Sequence, residues 1–206
     1  MSIAVIDYGI GNIQSVANAL RRVDGDTQIV SDGEELLSLN PDKIVLPGVG
    51  AIGRALEQLR ERELEAALNA LVMNEGRPFL GICVGMQVMA DRCEEFGEHK
   101  GFGWIPGAVK LLEPNAESGR KIPHIGWNTV ELSANKENLL ASAGGRDFYF
   151  VHSYAIDCPS DYVLATSDYG GTFVSAVATG NAYGIQFHPE KSSGCGEALL
   201  RAFLER

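Results

Sequence analysis

The run Phe79-Leu80-Gly81-Ile82-Cys83-Val84-Gly85 carries an apolar, strand-like stretch into Gly-x-Cys-x-Gly and on to the apolar-patterned segment Met86 to Ala90. That arrangement suits a nucleophile at Cys83. A strand-to-helix turn that presents a reactive side chain is too tight for bulk two positions before and two after it, which is where Gly81 and Gly85 stand. The thiol would then lie at a helix N-terminus, where oriented backbone N–H groups favour the thiolate, the reactive species. A cysteine in an apolar strand is otherwise a small buried hydrophobe, so a second motif has to decide.

Gly184-Ile185-Gln186-Phe187-His188-Pro189-Glu190 is that motif. Gly184 to Phe187 reads as a strand. A chain that stays extended through Pro189 would put His188 and Glu190 on one side, because side chains alternate along a strand. Pro189 supports an extended His188, since the residue before a proline is pushed out of the helical region. Glu190 could accept a hydrogen bond from one imidazole nitrogen and leave the other for the thiol. Nucleophile, base and orienting group are the three parts of a triad. His124 and His152 precede no carboxylate at such a spacing and are assigned structural or interface roles.

A third element, Pro47-Gly48-Val49-Gly50, follows the strand-like Lys43 to Leu46. Glycines on either side of Val49 let the backbone approach a ligand and turn its amides inward. The N–H groups of Val49 and of Val84, directly after Cys83, are candidate donors to the oxyanion formed when a thiolate attacks a carbonyl. The same glycines would also serve a plain strand-to-helix turn.

The elements that must position these groups alternate in the first half. Ile3 to Ile6 is strand-like, Ile13, Val16, Ala17, Leu20 and Val23 form a helical stripe, and short strands follow at Thr27 to Val30 and Lys43 to Leu46. The longest helical pattern spans Gly53 to Asn74, with Leu56, Leu59, Leu64, Leu68 and Leu71 on its apolar face and Gly76 and Pro78 ending it. Such a succession predicts a mostly parallel central sheet flanked by helices, with ligands at the carboxyl ends of its strands, where each candidate motif falls. From Gly101 to Phe173 short aromatic and β-branched runs, among them Trp127 to Leu132, Phe148 to Val151 and Val163 to Thr166, predict antiparallel additions to the same domain. An amphipathic helix near Glu197 to Leu204 closes the chain.

With 206 residues and no visible linker or repeat, the chain reads as one α/β domain over 1–206, large enough to bury a core without disulfides or metal. A net charge of −10 argues against nucleic acid, whose binding needs clustered Lys and Arg. The start Met1-Ser2-Ile3-Ala4-Val5-Ile6-Asp7 lacks a basic n-region, and no apolar run approaches the roughly 20 residues of a spanning helix. The expectation is a cytoplasmic protein that uses no membrane. Cys83, Cys93, Cys158 and Cys195 are scattered without CxxC spacing, which points to reduced thiols and no zinc site.

On these motifs the sequence resembles the class I glutamine amidotransferases, whose elbow and His-x-Glu pair match Gly81 to Gly85 and His188 to Glu190. Within them it is similar to the glutaminase subunits of imidazole glycerol phosphate synthases. The matching segments are Asp7 to Asn12, Leu46 to Gly50, Gly81 to Gln87, Lys121 to Asn128, Phe150 to Tyr154 and Gln186 to Ser192. Val84 departs from the usual leucine of that elbow.

The resemblance implies a flavodoxin-like amidotransferase domain that hydrolyses L-glutamine without a cofactor. It also implies a heterodimer with a cyclase subunit, a (β/α)₈ barrel that takes the ammonia and makes imidazole glycerol phosphate and an aminoimidazole carboxamide ribotide in histidine biosynthesis. Cys83 would attack the amide carbon, His188 would relay the proton to ammonia, Glu190 would orient His188, and the Val49 and Val84 amides would form the oxyanion hole. Substrate contacts carry over to Gly50, Gln87, Glu95, Ser153 and Tyr154, with Glu95 meeting the α-ammonium. Asn12, Pro123, Trp127, Tyr149 and Lys191 carry over to the barrel interface, where large aromatic anchors suit the role. Without the resemblance, Gln87 reads equally as polar surface, Glu95 reads as part of a solvated charged face from Asp91 to Glu98, and Trp127 and Tyr149 read equally as core. The alternatives are a paralogous subunit feeding another synthase, a stand-alone cysteine amide hydrolase and a silent binding module; an intact Cys83, His188 and Glu190 argues against the last.

Overall fold

The computed structural model describes residues 1–133, 139–141 and 145–206. The first half alternates: β1 (Ser2–Ile6), α1 (Ile13–Arg22), β2 (Asp26–Val30), α2 (Gly33–Leu39), β3 (Lys43–Gly48), α3 (Ile52–Glu61), α4 (Leu64–Leu68), β4 (Phe79–Cys83) and α5 (Val84–Gln87). Strands then dominate: β5 (Ala90–Cys93), β6 (His99–Lys100), β7 (Ile105–Leu111), β8 (His124–Leu132), β9 (Arg146–His152), β10 (Tyr154–Asp157), β11 (Val163–Asp168), β12 (Thr172–Thr179) and β13 (Ala182–Ile185). Helix α6 (Ser193–Leu204) ends the fold. Among the described residues no helix is long and apolar enough to cross a membrane.

Among these residues nine strands form one sheet in the order β2-β1-β3-β4-β13-β12-β11-β8-β9. Pairing is parallel from β2 to β13 and antiparallel from β13 to β9. Every residue of β3 and β4 is buried, which is why both read as continuous apolar runs rather than as alternation: helices cover both faces of a parallel sheet. Strand β13 inserts beside β4 and pairs Gly184 with Gly81 and Ile185 with Ile82. That crossover brings residues a hundred positions apart to one edge of the sheet.

Two features depart from the sequence expectation. The helical pattern over 53–74 is broken: α3 stops, Glu63 takes φ 57°, and α4 runs on into π-helical turns over Asn69–Asn74. Leu59 and Leu64 are five apart, about 140° around a straight helix, yet both are fully buried. The left-handed residue resets the apolar face. It also admits the start of α2, where Gly33 N–H donates to Arg62 O at 2.8 Å and a side chain on Gly33 would meet Glu63 O at 2.5 Å. Helix α2 itself, capped by Asp32 accepting from Glu35 N–H, lay unread between two strands.

The second departure is a separate sheet, β10-β7-β5-β6. The antiparallel expectation for 101–173 holds at β8, β9 and β11, whereas β5 and β7 are parallel; residues 134–138 and 142–144 of that span lie outside the described residues. The chain leaves α5 after one turn because Val88 O accepts from Phe102 N–H at 2.7 Å. Gly101 comes so close that a side chain there would lie 2.0 Å from Ala90 O.

Candidate functional site

Four parallel strands deliver chemistry at one edge of the sheet. β1 leads into Asp7–Asn12, β3 ends at Gly48, β4 at Cys83, and β13 leads into His188. Gly48 pairs directly with Cys83. Cys83 adopts φ 55° and ψ −108°, a strained conformation for a residue with a side chain. Its neighbours impose that strain. A Cβ on Gly81 would sit 2.4 Å from Gly85 O, and one on Gly85 would sit 1.9 Å from Leu46 O, so the spacing of the two glycines answers to sterics on both sides of the thiol. The helix after the elbow is a single turn.

His188 meets Glu190 by another route than the expected extended chain. His188 is extended (φ −103°, ψ 96°), as a residue before proline should be, but Pro189–Lys191 form a 3₁₀ turn. The turn curls Glu190 back so that His188 Nδ1 lies 2.8 Å from Oε1, with both side chains almost wholly buried. Burial opposes a charge on the ring and is the largest influence, yet the Cys83 thiol and the Glu190 carboxylate together override it and raise the pKa to about 9. At neutral pH this imidazole holds its proton. Nε2, on the other side of the ring, makes no hydrogen bond of ordinary geometry among the described residues.

A cavity of about 530 Å³, a usual size for a small-molecule site, is lined by Cys83 and Val84 and by Val49, Gly50, Gln87, Glu95, Ser153 and Tyr154. All the sequence-derived substrate and oxyanion residues therefore converge. The glycines beside Val49 answer different demands. Gly50 has φ 85°, and a side chain on Gly48 would lie 2.3 Å from the Tyr8 hydroxyl. Glu95 is half-buried, not a solvated face, and its Oε2 accepts from Ile52 N–H at 2.5 Å. Gln87 is buried as well. Its Nε2 donates to Tyr154 O at 2.9 Å and Gln186 Oε1 at 3.0 Å, which leaves its own carbonyl oxygen for a substrate.

Sequence reasoning missed Gln186 and the partnership of His152 with His124. Gln186 is wholly buried, and its Nε2 donates to Cys83 Sγ at 3.5 Å. The available signal was an amide within an otherwise apolar run, because buried polar groups must be bonded to something. His152 lines the cavity, but both its nitrogens are engaged: Nδ1 with Tyr154 O at 2.9 Å and Nε2 with His124 Nδ1 at 3.0 Å. Burial lowers both rings to about 4. Neither has a free, titrating nitrogen with which to rival His188.

Of the residues expected to meet a partner, Pro123 and Lys191 also line the cavity. Trp127 is 54% exposed, which rules out a core role. Its ring meets Tyr149 edge-on at 6.2 Å, and Lys191 Nζ stands 5.7 Å from the Tyr149 ring. Asn12 starts α1 from the loop after β1 and accepts from Ser15 Oγ.

A family model described as glutamine amidotransferase class-I matches residues 4–206. A protein of Zymomonas mobilis named imidazole glycerol phosphate synthase subunit HisH is 44% identical over 99% of this chain and 95% of its own length. A chloroplastic protein of Arabidopsis thaliana named imidazole glycerol phosphate synthase hisHF is 40% identical over 98% of this chain, which spans only 34% of that longer protein. A solved structure described as a glutamine amidotransferase superposes with a TM-score of 0.72 at 22% identity, covering 98% of this chain and 97% of its own, and so shares the fold.

Proposed function

The chain belongs to the class I glutamine amidotransferases, and from that premise we propose that it is the glutaminase subunit of an imidazole glycerol phosphate synthase, acting in histidine biosynthesis. Residues 1–206 work as one amidotransferase domain that hydrolyses L-glutamine to L-glutamate and ammonia in the cytoplasm. The single observation that carries this reading is the placing of Cys83 at the junction of a cavity lined by Val49, Gly50 and Val84 with the buried His188–Glu190 pair behind it. The word "subunit" in the relatives' names, and the longer chloroplastic chain that contains an equivalent of this one, support a separate cyclase partner.

Cys83 attacks the carboxamide carbon as the thiolate, its proton having passed to His188. The oxyanion that forms is met by the N–H of Val49, reached through the glycines on either side, and by that of Val84. As the carbon–nitrogen bond breaks, His188 hands its proton to the leaving nitrogen and ammonia departs. A water deprotonated by His188 then cleaves the thioester and releases glutamate. Glu190 holds the ring and stabilises its charge throughout. Glu95 takes the substrate α-ammonium, and Gly50, Gln87, Ser153 and Tyr154 complete the pocket. Trp127, Tyr149, Lys191, Pro123 and Asn12 dock the cyclase, so that ammonia leaves toward the face where it is used.

The isolated chain is a poor glutaminase in this reading. The Gly48–Gly50 turn is free to rest with the Val49 N–H away from the oxyanion, which costs on the order of 10²- to 10³-fold in rate. A partner that binds the turned-in form better shifts the population toward it. Glutamate release should rise from the chain alone, to the pair, to the pair with the cyclase's nucleotide ligand. Cys83→Ala should abolish release in all three while the pair still turns over on added ammonium. Wild-type hydrolysis by Cys83→Ala would remove the triad, and equal rates in the three states would favour a stand-alone hydrolase.

A further inference from the structure

Behind the cavity wall, the carboxamide of Gln186 has its orientation set by another side chain, Gln87, and ends on the Cys83 sulfur. It stands just past β13, wholly buried, its backbone N–H held by Ser175 O at 2.9 Å. Gln87 spends its two amide hydrogens on Tyr154 O and on Gln186 Oε1. Gln186 Oε1 is therefore the acceptor and Nε2 the donor, an assignment that follows from the network. That donor faces Cys83 Sγ at 3.5 Å.

We propose that Gln186 is a positioning residue for the nucleophile: its carboxamide, locked by Gln87, donates to the Cys83 thiolate and fixes the direction from which the sulfur attacks. The inference rests on Cys83 being the nucleophile. Two contacts of the sulfur divide the work between its protonation states. The thiol can donate to Val151 O, 3.9 Å away, and the thiolate loses that bond and gains the Gln186 N–H, because a hydrogen bond to an anion is about twice as strong as a neutral one. Burying a carboxamide is costly unless both its ends are bonded, and an apolar side chain of the same size would fill the space without that cost. What such a side chain could not do is hold an anionic sulfur. The ionisable groups around Cys83 are His188 from the turn after β13, backed by Glu190, Tyr8 from the loop after β1, and His152, Tyr154, Glu95 and Lys191, which line the same cavity; none is altered in the variants below.

The test is the rate of Cys83 alkylation by iodoacetamide in the full-length chain between pH 5 and 10, read by peptide mapping, with Cys83→Ala as the blank. Gln186→Met removes the donor at nearly constant volume. It should slow alkylation at pH 7 by about 10-fold, move the profile to higher pH, and in the complex with the cyclase lower kcat by about 10-fold with KM little changed, the size expected for one charge-assisted hydrogen bond. An alkylation profile that overlays the wild type, with only the melting temperature lowered, overturns the proposal and leaves Gln186 a packing residue. If Gln186→Met does not fold, Gln186→Asn keeps a carboxamide but withdraws the donor by one methylene. It must show the same slowing, and a wild-type profile there overturns the proposal equally. Retained glutaminase in Cys83→Ala would instead sink the catalytic reading, while alkylation would still report whether Gln186 acts on Cys83.

Discussion

His188 and the His124–His152 pair are buried to nearly the same extent, at 2, 2 and 6% exposure, and stand in opposite charge states. Burial opposes the charge on all three rings. His188 has a carboxylate at 2.8 Å and a thiol beyond, and is raised to about 9. His152 is lowered by desolvation, which the Tyr154 carbonyl does not offset and the neighbouring His124 and His188 rings add to, and it falls to about 4 as His124 does. A buried histidine becomes a proton carrier through the anion beside it, not through its depth. The neutral pair has a different use: with every nitrogen engaged, it pins Tyr154 O, which Gln87 also grips, and so braces the wall against which Gln186 stands.

The contrast breaks most severely if His188 is removed. His188→Ala should cost about 10³-fold or more in glutamine turnover by the paired enzyme, since His152, the imidazole that lines the cavity, has both nitrogens engaged. Glu190→Gln keeps a hydrogen bond but loses the charge, and should cost less, about 10²-fold, while the His188 titration falls toward that of its neutral neighbours. Single-turnover kinetics and the pH–rate profile separate the two variants. A Glu190→Gln enzyme slower than His188→Ala would mean that the roles are misassigned.

Stability against pH sharpens the comparison with opposite signs. The folded pKa of His188 is raised, so its contribution is complete below the ordinary value of 6.5 and is lost as pH climbs through about 9. His124 and His152 are lowered, so theirs is complete above 6.5 and is lost as pH falls through about 4. Urea midpoints across this range should decline on both sides, and Glu190→Gln should flatten the alkaline limb and spare the acid one. A decline on the alkaline side that survives Glu190→Gln would assign it elsewhere.

The smallest expected effect concerns a neutral group beside the same thiol. The Tyr8 hydroxyl is buried against Gly48 and has no hydrogen-bond partner among the described residues; burial, with lesser pushes from Cys83 and Asp7, drives its pKa upward. Tyr8→Phe should raise stability by about 1 kcal/mol, because it removes an unsatisfied buried donor. Thermal unfolding of the isolated chain measures it, and a loss of stability would show that the hydroxyl has a partner.

The triad could be read from the sequence because its constraints are local. Gly81 and Gly85 state how tightly the chain turns around Cys83, and Pro189 states that His188 is extended. The His188–Glu190 contact was anticipated for the wrong reason, through an extended chain, and survived because a 3₁₀ turn also brings together residues two apart. Helix α2 and the break at Glu63 were less legible. The leucine pattern over 53–74 looks continuous unless the five-residue step from Leu59 to Leu64 is weighed, and the αL residue that absorbs it is a glutamate, not a glycine. Glu95 and Gln87 looked like surface for a related reason. Their burial depends on Ile52 and on Gln186, which a local pattern does not reveal.

By itself the sequence determined which groups could react, the steric necessity of the elbow and the alternation that builds a parallel sheet, because glycine, proline and apolar periodicity act within a few residues. The tertiary structure alone decided how the other two buried histidines, His124 and His152, are engaged and which buried amide faces the sulfur. Those outcomes depend on partners 67, 99 and 103 residues apart, the last two brought together when β13 crosses over to lie beside β4. Hydrogen bonds and pKa shifts are set by distance in space, and no local pattern in the chain encodes that distance.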